Sequence, residues 1–283
     1  MKTKVALHIV GVLRNFRLII PSVQNLVDEL TDFDVTIFLT VWDKSPLKNG
    51  IIENFKLAKD ENLVDVCLDD LKQLMIESFP NNHTIVKVYP YDPTLHRSKS
   101  FFKIIYLSYL DRLKEELRIS NIFEKVILTR TDVVFLARQD EVFKFKKCLG
   151  ADTVNQLNFI GKYSDNSGFF PTGPDHLHEI CHGAYDLVFY GSFREMNLLM
   201  RSFNHLHLLG DLEIDNHIVF GSVLKRHGIF LSNQFYSLHP VIVRTLDGIS
   251  LPELTRDTLS FREDKFKLEK QLAQIEEKWW SIR

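Results

Sequence analysis

The chain alternates between apolar runs with few charges and amphipathic stretches at helical spacing, which predicts an α/β domain. Residues 5–12 form a first apolar run, broken by Gly11, and residues 35–39 form a second that ends in Val41-Trp42-Asp43. Between them, after Pro21-Ser22, the residues Val23, Leu26, Val27 and Leu30 recur along one helix face. Strand, helix and strand over so short a distance make a βαβ unit, so the sheet is expected to be mainly parallel with flanking helices, in a Rossmann-like layout. Residues 126–136 form the longest apolar run and read as one central strand buried on both faces, interrupted by Thr129-Arg130-Thr131-Asp132.

The remaining stretches fill in the same plan. Residues 63–79 read as a helix, 83–89 as a strand and 90–93 as a turn. A long amphipathic helix over 99–118 carries Phe102, Ile105, Tyr106, Tyr109, Leu110, Leu113 and Leu117 at helical spacing. Residues 137–150 read as a charged connector, 157–160 as a short strand, and 161–183 as a loop rich in Gly, Pro, Asp and His. A strand over 184–191 leads into a helix over 192–206, with Ser192 at the N-cap and Glu195 in a capping box. A helical run over 218–226 and late strands at 230–231 and 235–243 follow. The expected division is one domain over residues 1–250, with a charged helical tail over 251–283 docked on it by Trp279-Trp280.

Composition narrows the function classes. Hydrophobic residues at 45% and charged residues at 25% are an ordinary soluble globular balance. The net charge of −2 gives no electrostatic case for nucleic acid. Cys67, Cys148 and Cys181 are widely spaced, with neither metal spacing nor a disulfide framework, which fits a reducing, cytoplasmic setting. The N-terminal apolar run meets Arg14 too early for a signal peptide, and no stretch reaches the ~20 apolar residues of a membrane span.

Candidate chemistry gathers where strands end. Charges at the end of a buried strand are costly unless they are paired or bind metal or ligand, and ligands of open α/β sheets sit outside the carboxyl ends of the strands. Arg130 and Asp132 are therefore the first candidates, either for ligand chemistry or as an ion pair that closes the strand. Gly11 beside Arg14 suits a phosphate-bearing ligand, because backbone can approach closely and a guanidinium can bond oxygens bidentately. Trp42 and Asp43 end the second strand. Arg97, Lys99 and Lys103 open the long helix against its dipole, an oddity that a bound anion would explain. Asp69-Asp70 reads as a solvated acidic pair, and His176, His178 and His182 as incidental histidines of the long loop rather than a zinc site. Asp186 is an acid inside an apolar run, whose plainer role is to pair locally. Glu213 and Asp215 precede the helical run at 218.

Taken in order, these blocks resemble the small GT-A-type sugar-nucleotide glycosyltransferases that build capsular, lipopolysaccharide or virion glycans. Residues 4–16 are similar to their opening strand followed by Gly-x-x-Arg-x-Phe, and residues 34–43 to their second strand ending in Trp-Asp. Residues 98–106 look like their long helix, residues 126–135 like their Asp-x-Asp strand end in an Arg130-x-Asp132 variant, and residues 185–191 like the next block. The resemblance spans residues 4–230 and implies a GT-A-like fold. It also implies a hexosyl- or pentosyltransferase that uses a nucleoside diphosphate sugar, most commonly a UDP-sugar, and a glycan or oligosaccharide acceptor.

Such transfer builds negative charge on the leaving diphosphate and must take a proton from the acceptor hydroxyl. The charge is met by Mn²⁺ or Mg²⁺, by Arg or Lys, or by both. Asp132 is the expected metal ligand, with His239 as a later one by analogy to the carboxyl-terminal His of GT-A enzymes. Arg130 would offset donor charge, Arg14, Arg97 and Lys99 would hold phosphate, and Trp42 or Tyr91 would stack on the base. Asp186 would orient the donor sugar, and Asp215 or Glu213 would be the general base, which implies inversion. The alternatives are an inactive nucleotide-sugar-binding protein and a metal-dependent phosphohydrolase or nucleotidyltransferase. A nucleotidyltransferase would show more glycine near the first strand than Gly11 alone.

Overall fold

The computed structural model describes residues 2–13, 16–46, 63–95, 97–135, 139–151, 156–160, 188–204, 227–233 and 240–242. Eleven strands and five helices are described. The strands are β1 (Thr3–Gly11), β2 (Phe33–Trp42), β3 (Lys44–Pro46), β4 (Leu63–Asp65), β5 (His83–Tyr89), β6 (Lys125–Arg130), β7 (Val133–Phe135), β8 (Gln156–Ile160), β9 (Val188–Ser192), β10 (Phe230–Asn233) and β11 (Pro240–Ile242). The helices are α1 (Phe16–Glu29), α2 (Leu68–Ser78), α3 (Arg97–Ile119), α4 (Gln139–Gly150) and α5 (Phe193–Met200).

The main sheet has seven strands in the order β10-β8-β9-β6-β1-β2-β5. The pairs β1–β2, β1–β6, β2–β5 and β8–β10 are parallel, and only β9 runs against its neighbours β6 and β8. The sheet is thus mainly parallel and flanked by helices, as the βαβ pattern predicts. Along β1 the pleat splits the core in two. Val5, Leu7 and Ile9 face α1, α2 and α4, while Ala6 and Val10 face α3 and α5.

This two-sided winding creates a switch in direction. From β1 the chain moves through α1 to β2 and then to β5, all on one side of β1. Helix α3 then carries it back over the opposite face to β6, on the other side of β1. The strand order therefore reverses between β1 and β6, the place at which ligands sit outside the carboxyl ends of the strands in open α/β sheets.

Several local expectations are corrected. Helix α1 starts at Phe16, so Pro21 lies inside it. Pro21 lacks one helical N–H, and burial of Ile19, Ile20, Val23, Leu26 and Val27 against the sheet outweighs that loss. Residues 63–65 are a strand pairing with β3, not the start of α2. The run 126–136 is not one strand: it breaks after Arg130, and β7 pairs with β11 in a separate two-stranded sheet. The charged connector at 139–150 is helix α4, with Val142, Phe145 and Leu149 buried. Ser192 sits at the N-cap of α5 without a side-chain cap bond, and the helix ends at Met200. Leu117 is 81% exposed, whereas Asp111, Arg112 and Glu115 of the same helix are buried. The tail over 251–283, the loop over 161–183 with its histidines and Cys181, and the run over 218–226 lie outside the described residues.

Candidate functional site

The site is built from the ends of β1 and β6. Parallel register sets Val10 beside Arg130 and Gly11 beside Val41, so the strand ends lie level. Gly11 has φ of +133°, a conformation that needs glycine. A Cβ there would lie 3.0 Å from the Thr131 hydroxyl oxygen. Thr131 is 2% exposed and ties the two loops together. Its backbone N–H donates to Val10 O at 3.1 Å, and its hydroxyl donates to Val12 O at 2.5 Å. Beyond it, Leu13 packs on the α1 side of the sheet and Val12 on the α3 side, so both faces hold the first loop.

The two charges flanking Thr131 pair with each other across the turn that follows β6. Arg130 Nε donates to Asp132 Oδ1 and Arg130 Nη2 to Asp132 Oδ2, each at 2.8 Å. The pair is therefore bidentate, and its side chains are 17% and 5% exposed, with Arg130 the more accessible. The Arg130 guanidinium carbon lies 5.8 Å from the centroid of the Phe101 ring. Phe101 is in the first turns of α3, so this stacking brings the amino end of that helix, with half-buried Lys99, to the switch point.

On the other side of β1, Asp43 accepts the backbone N–H of Tyr91 at 2.8 Å and donates its own N–H to Tyr89 O at 2.8 Å. This closes the ends of β2 and β5. Trp42 is 2% exposed and meets Tyr91 edge-on, with ring centroids 6.1 Å apart. Trp42 is thus part of the core under the edge, whereas Tyr91 is half-buried. Nearby, hydrogen bonds from the Thr94 hydroxyl and N–H, with the Lys103 ammonium at 3.7 Å, hold the Asp92 carboxyl below its usual range.

A buried polar layer lies one turn of pleat below. The His8 Nδ1 and Ser108 Oγ are 2.7 Å apart, and the Thr40 hydroxyl donates to the same Ser108 oxygen at 2.9 Å. His8 also stacks on Phe38 at 4.7 Å. Burial, and then the nearby Arg112 charge, push the His8 imidazole well below its ordinary pKa, so it is neutral. This layer ties β1, β2 and α3 into one rigid support.

Of the residues expected at the site, the structure brings together Gly11, Arg130 and Asp132, with Lys99 in the adjoining helical turn. Arg97 opens α3. Arg14, Asp186, Glu213, Asp215 and His239 lie outside the described residues. Sequence reasoning passed over Thr131 and Phe101. The signal for Thr131 was its place in the register opposite Gly11, which only strand pairing reveals. Phe101 looked like an ordinary position on a helix rich in aromatics.

The expected divalent ion does not fit the residues described here. Asp132 has both oxygens within hydrogen-bond distance of a guanidinium. Among the described residues no group of three His, Cys, Asp or Glu side chains could hold a metal ion. Pro240, next in the chain to His239, pairs with Phe135, while Ile242 pairs with Val133, the neighbour of Asp132.

Fold and edge together define an α/β domain with a mainly parallel sheet, whose polar and charged residues meet at a topological switch point. No protein-family model matches the chain, and no curated protein matches it. Among solved structures, the chain is similar to 4-diphosphocytidyl-2C-methyl-D-erythritol synthase from Anaerococcus prevotii, with a TM-score of 0.44 and 10% identity over 87% of this chain and 94% of that one. No helix among the described residues is long and apolar enough to cross a membrane.

Proposed function

We propose that the chain is a glycosyltransferase that moves a sugar from a nucleoside diphosphate sugar, a UDP-sugar, to a hydroxyl of a glycan acceptor. The observation that carries this reading is the meeting of Gly11, Thr131 and the Arg130–Asp132 pair at the switch point between β1 and β6. Those are the blocks whose order resembles the GT-A enzymes, and a glycine-lined loop beside a guanidinium suits a diphosphate. The acceptor oxygen would form a bond to the anomeric carbon as the bond from that carbon to the diphosphate oxygen breaks. The electron pair leaves with UDP, and the hydroxyl proton passes to a carboxylate. Asp215 is the proposed base and Glu213 the second choice. Asp186 would orient the donor sugar, Arg14, Arg97 and Lys99 would hold phosphate, and Tyr91 would stack on the base.

The test is a thermal-shift screen of sugar nucleotides on the full chain, since a ligand that binds only the folded state raises its melting temperature. The hits are then assayed for UDP release with glycan acceptors. A UDP-sugar that stabilises the chain and releases UDP in an acceptor-dependent way is the expected result. Pyrophosphate release from a nucleoside triphosphate would instead make the chain a nucleotidyltransferase. Tighter binding of GDP or CMP than UDP would overturn the choice of base.

A further inference from the structure

We propose that the site binds the donor diphosphate without a divalent cation, Arg130 standing where a metal ion would supply positive charge. The inference rests on the reading of the chain as a user of nucleoside diphosphate sugars. Asp132 is the carboxylate at the end of β6, and both of its oxygens accept hydrogen bonds from Arg130 at 2.8 Å. A carboxylate gripped by a guanidinium fork is a poor ligand for Mg²⁺ or Mn²⁺. An ion at ~2.1 Å from such an oxygen would lie within ~5 Å of the bonded guanidinium nitrogen and be repelled by it. Among the described residues Asp43, at the end of β2 across β1, accepts the Tyr91 N–H.

The pair is oriented as well as closed. Asp132 is the inner partner at 5% exposure and Arg130 the outer one at 17%, so the positive end of the pair is the more accessible one. Stacking over Phe101 holds the guanidinium in place. A guanidinium keeps its charge at all working pH values and suits phosphate oxygens, so Asp132 acts as a positioning residue for Arg130 rather than as a metal ligand.

The experiment uses the full chain and two probes. Calorimetry with UDP is run in EDTA and again with MnCl₂, and uptake of Mn²⁺ alone is read from the electron paramagnetic resonance of the free ion. Equal UDP affinity with and without the metal is expected, with no Mn²⁺ uptake by the wild type. Arg130→Ala should weaken UDP by about tenfold or more, the loss of one charge-assisted contact, while Arg130→Lys keeps the charge without the fork and should lose less. Near-ultraviolet circular dichroism checks that the variants are folded. UDP binding that requires Mn²⁺ overturns the inference. So does Mn²⁺ uptake by the wild type that Asp132→Asn abolishes, whether or not UDP binds. Failure of UDP to bind under either condition removes the donor reading instead, and the Mn²⁺ measurement still decides the metal.

Discussion

Gly11→Ala tests whether the loop at the switch point has the geometry that the site needs. At φ of +133° an L-residue is strained, by about 1–3 kcal/mol. The new Cβ would also meet Thr131 Oγ1 at 3.0 Å. That oxygen cannot swing away cheaply, because Thr131 is 2% exposed and its hydroxyl is bonded to Val12 O. Crowding of this kind costs about 1 kcal/mol or more. The sum is about 2–4 kcal/mol, or a fall in melting temperature of roughly 5–15 °C at this chain size. Urea unfolding followed by circular dichroism reads it directly. A double-mutant cycle with Thr131→Ala separates the two contributions. Removing the oxygen should relieve the contact, so the double variant should lose about 1 kcal/mol less than the two single losses added together. Parental stability in Gly11→Ala would refute the strained backbone, and strict additivity would refute the contact.

Two further predictions concern the buried polar layer. His8 has a folded pKa well below 6.5, so on acidification the unfolded chain takes its proton first. Stability should be flat above about pH 6.5 and fall by ~1.4 kcal/mol per pH unit below it, as read by urea midpoints; a slope unchanged in His8→Gln would contradict this. Asp111, whose carboxyl burial pushes up, acts in the opposite sense, adding stability as the pH falls. Arg112 is wholly buried, donates to Asn197 and lies 3.5 Å from Glu116. Arg112→Ala should cost about 3–5 kcal/mol, from the cavity left by a wholly buried side chain together with the loss of the ion partner of Glu116; Arg112→Met refills the volume and should restore the cavity part, and equal losses in urea unfolding would show that the charge alone matters.

Much of the fold is legible in the chain because it depends on local period. The runs that form β1 and β2 are apolar on both faces, as strands inside a parallel sheet must be, and the predicted strand over 83–89 coincides with β5 at the sheet edge. Where the pattern misled, a non-local term had won. Helix α4 was hidden because Phe143, 68% exposed, blurs the stripe of Val142, Phe145 and Leu149. Pro21 looked like a helix start, yet the apolar face of α1 begins earlier, at Phe16. Period alone assigned Leu117 to the core, yet it is 81% exposed, while Arg112 of the same helix is buried and donates to Asn197 of α5.

The candidate site divides in the same way. The sequence by itself determined that Gly11 follows a buried strand and that Arg130 and Asp132 end another, since a glycine and charges stand out in apolar runs. Only the tertiary structure decided that these strands are neighbours with Val10 beside Arg130, that Thr131 fills the space a side chain at position 11 would need, and that Trp42 lies in the core rather than on the edge. It also decided that Asp132 turns to Arg130. Whether two charges two residues apart separate around a ligand or close on each other depends on the backbone between them and on the surrounding shell. Here Phe101 and the turn after β6 bring guanidinium and carboxylate together, because strand register and helix packing are set by contacts distant in sequence, which no local pattern encodes.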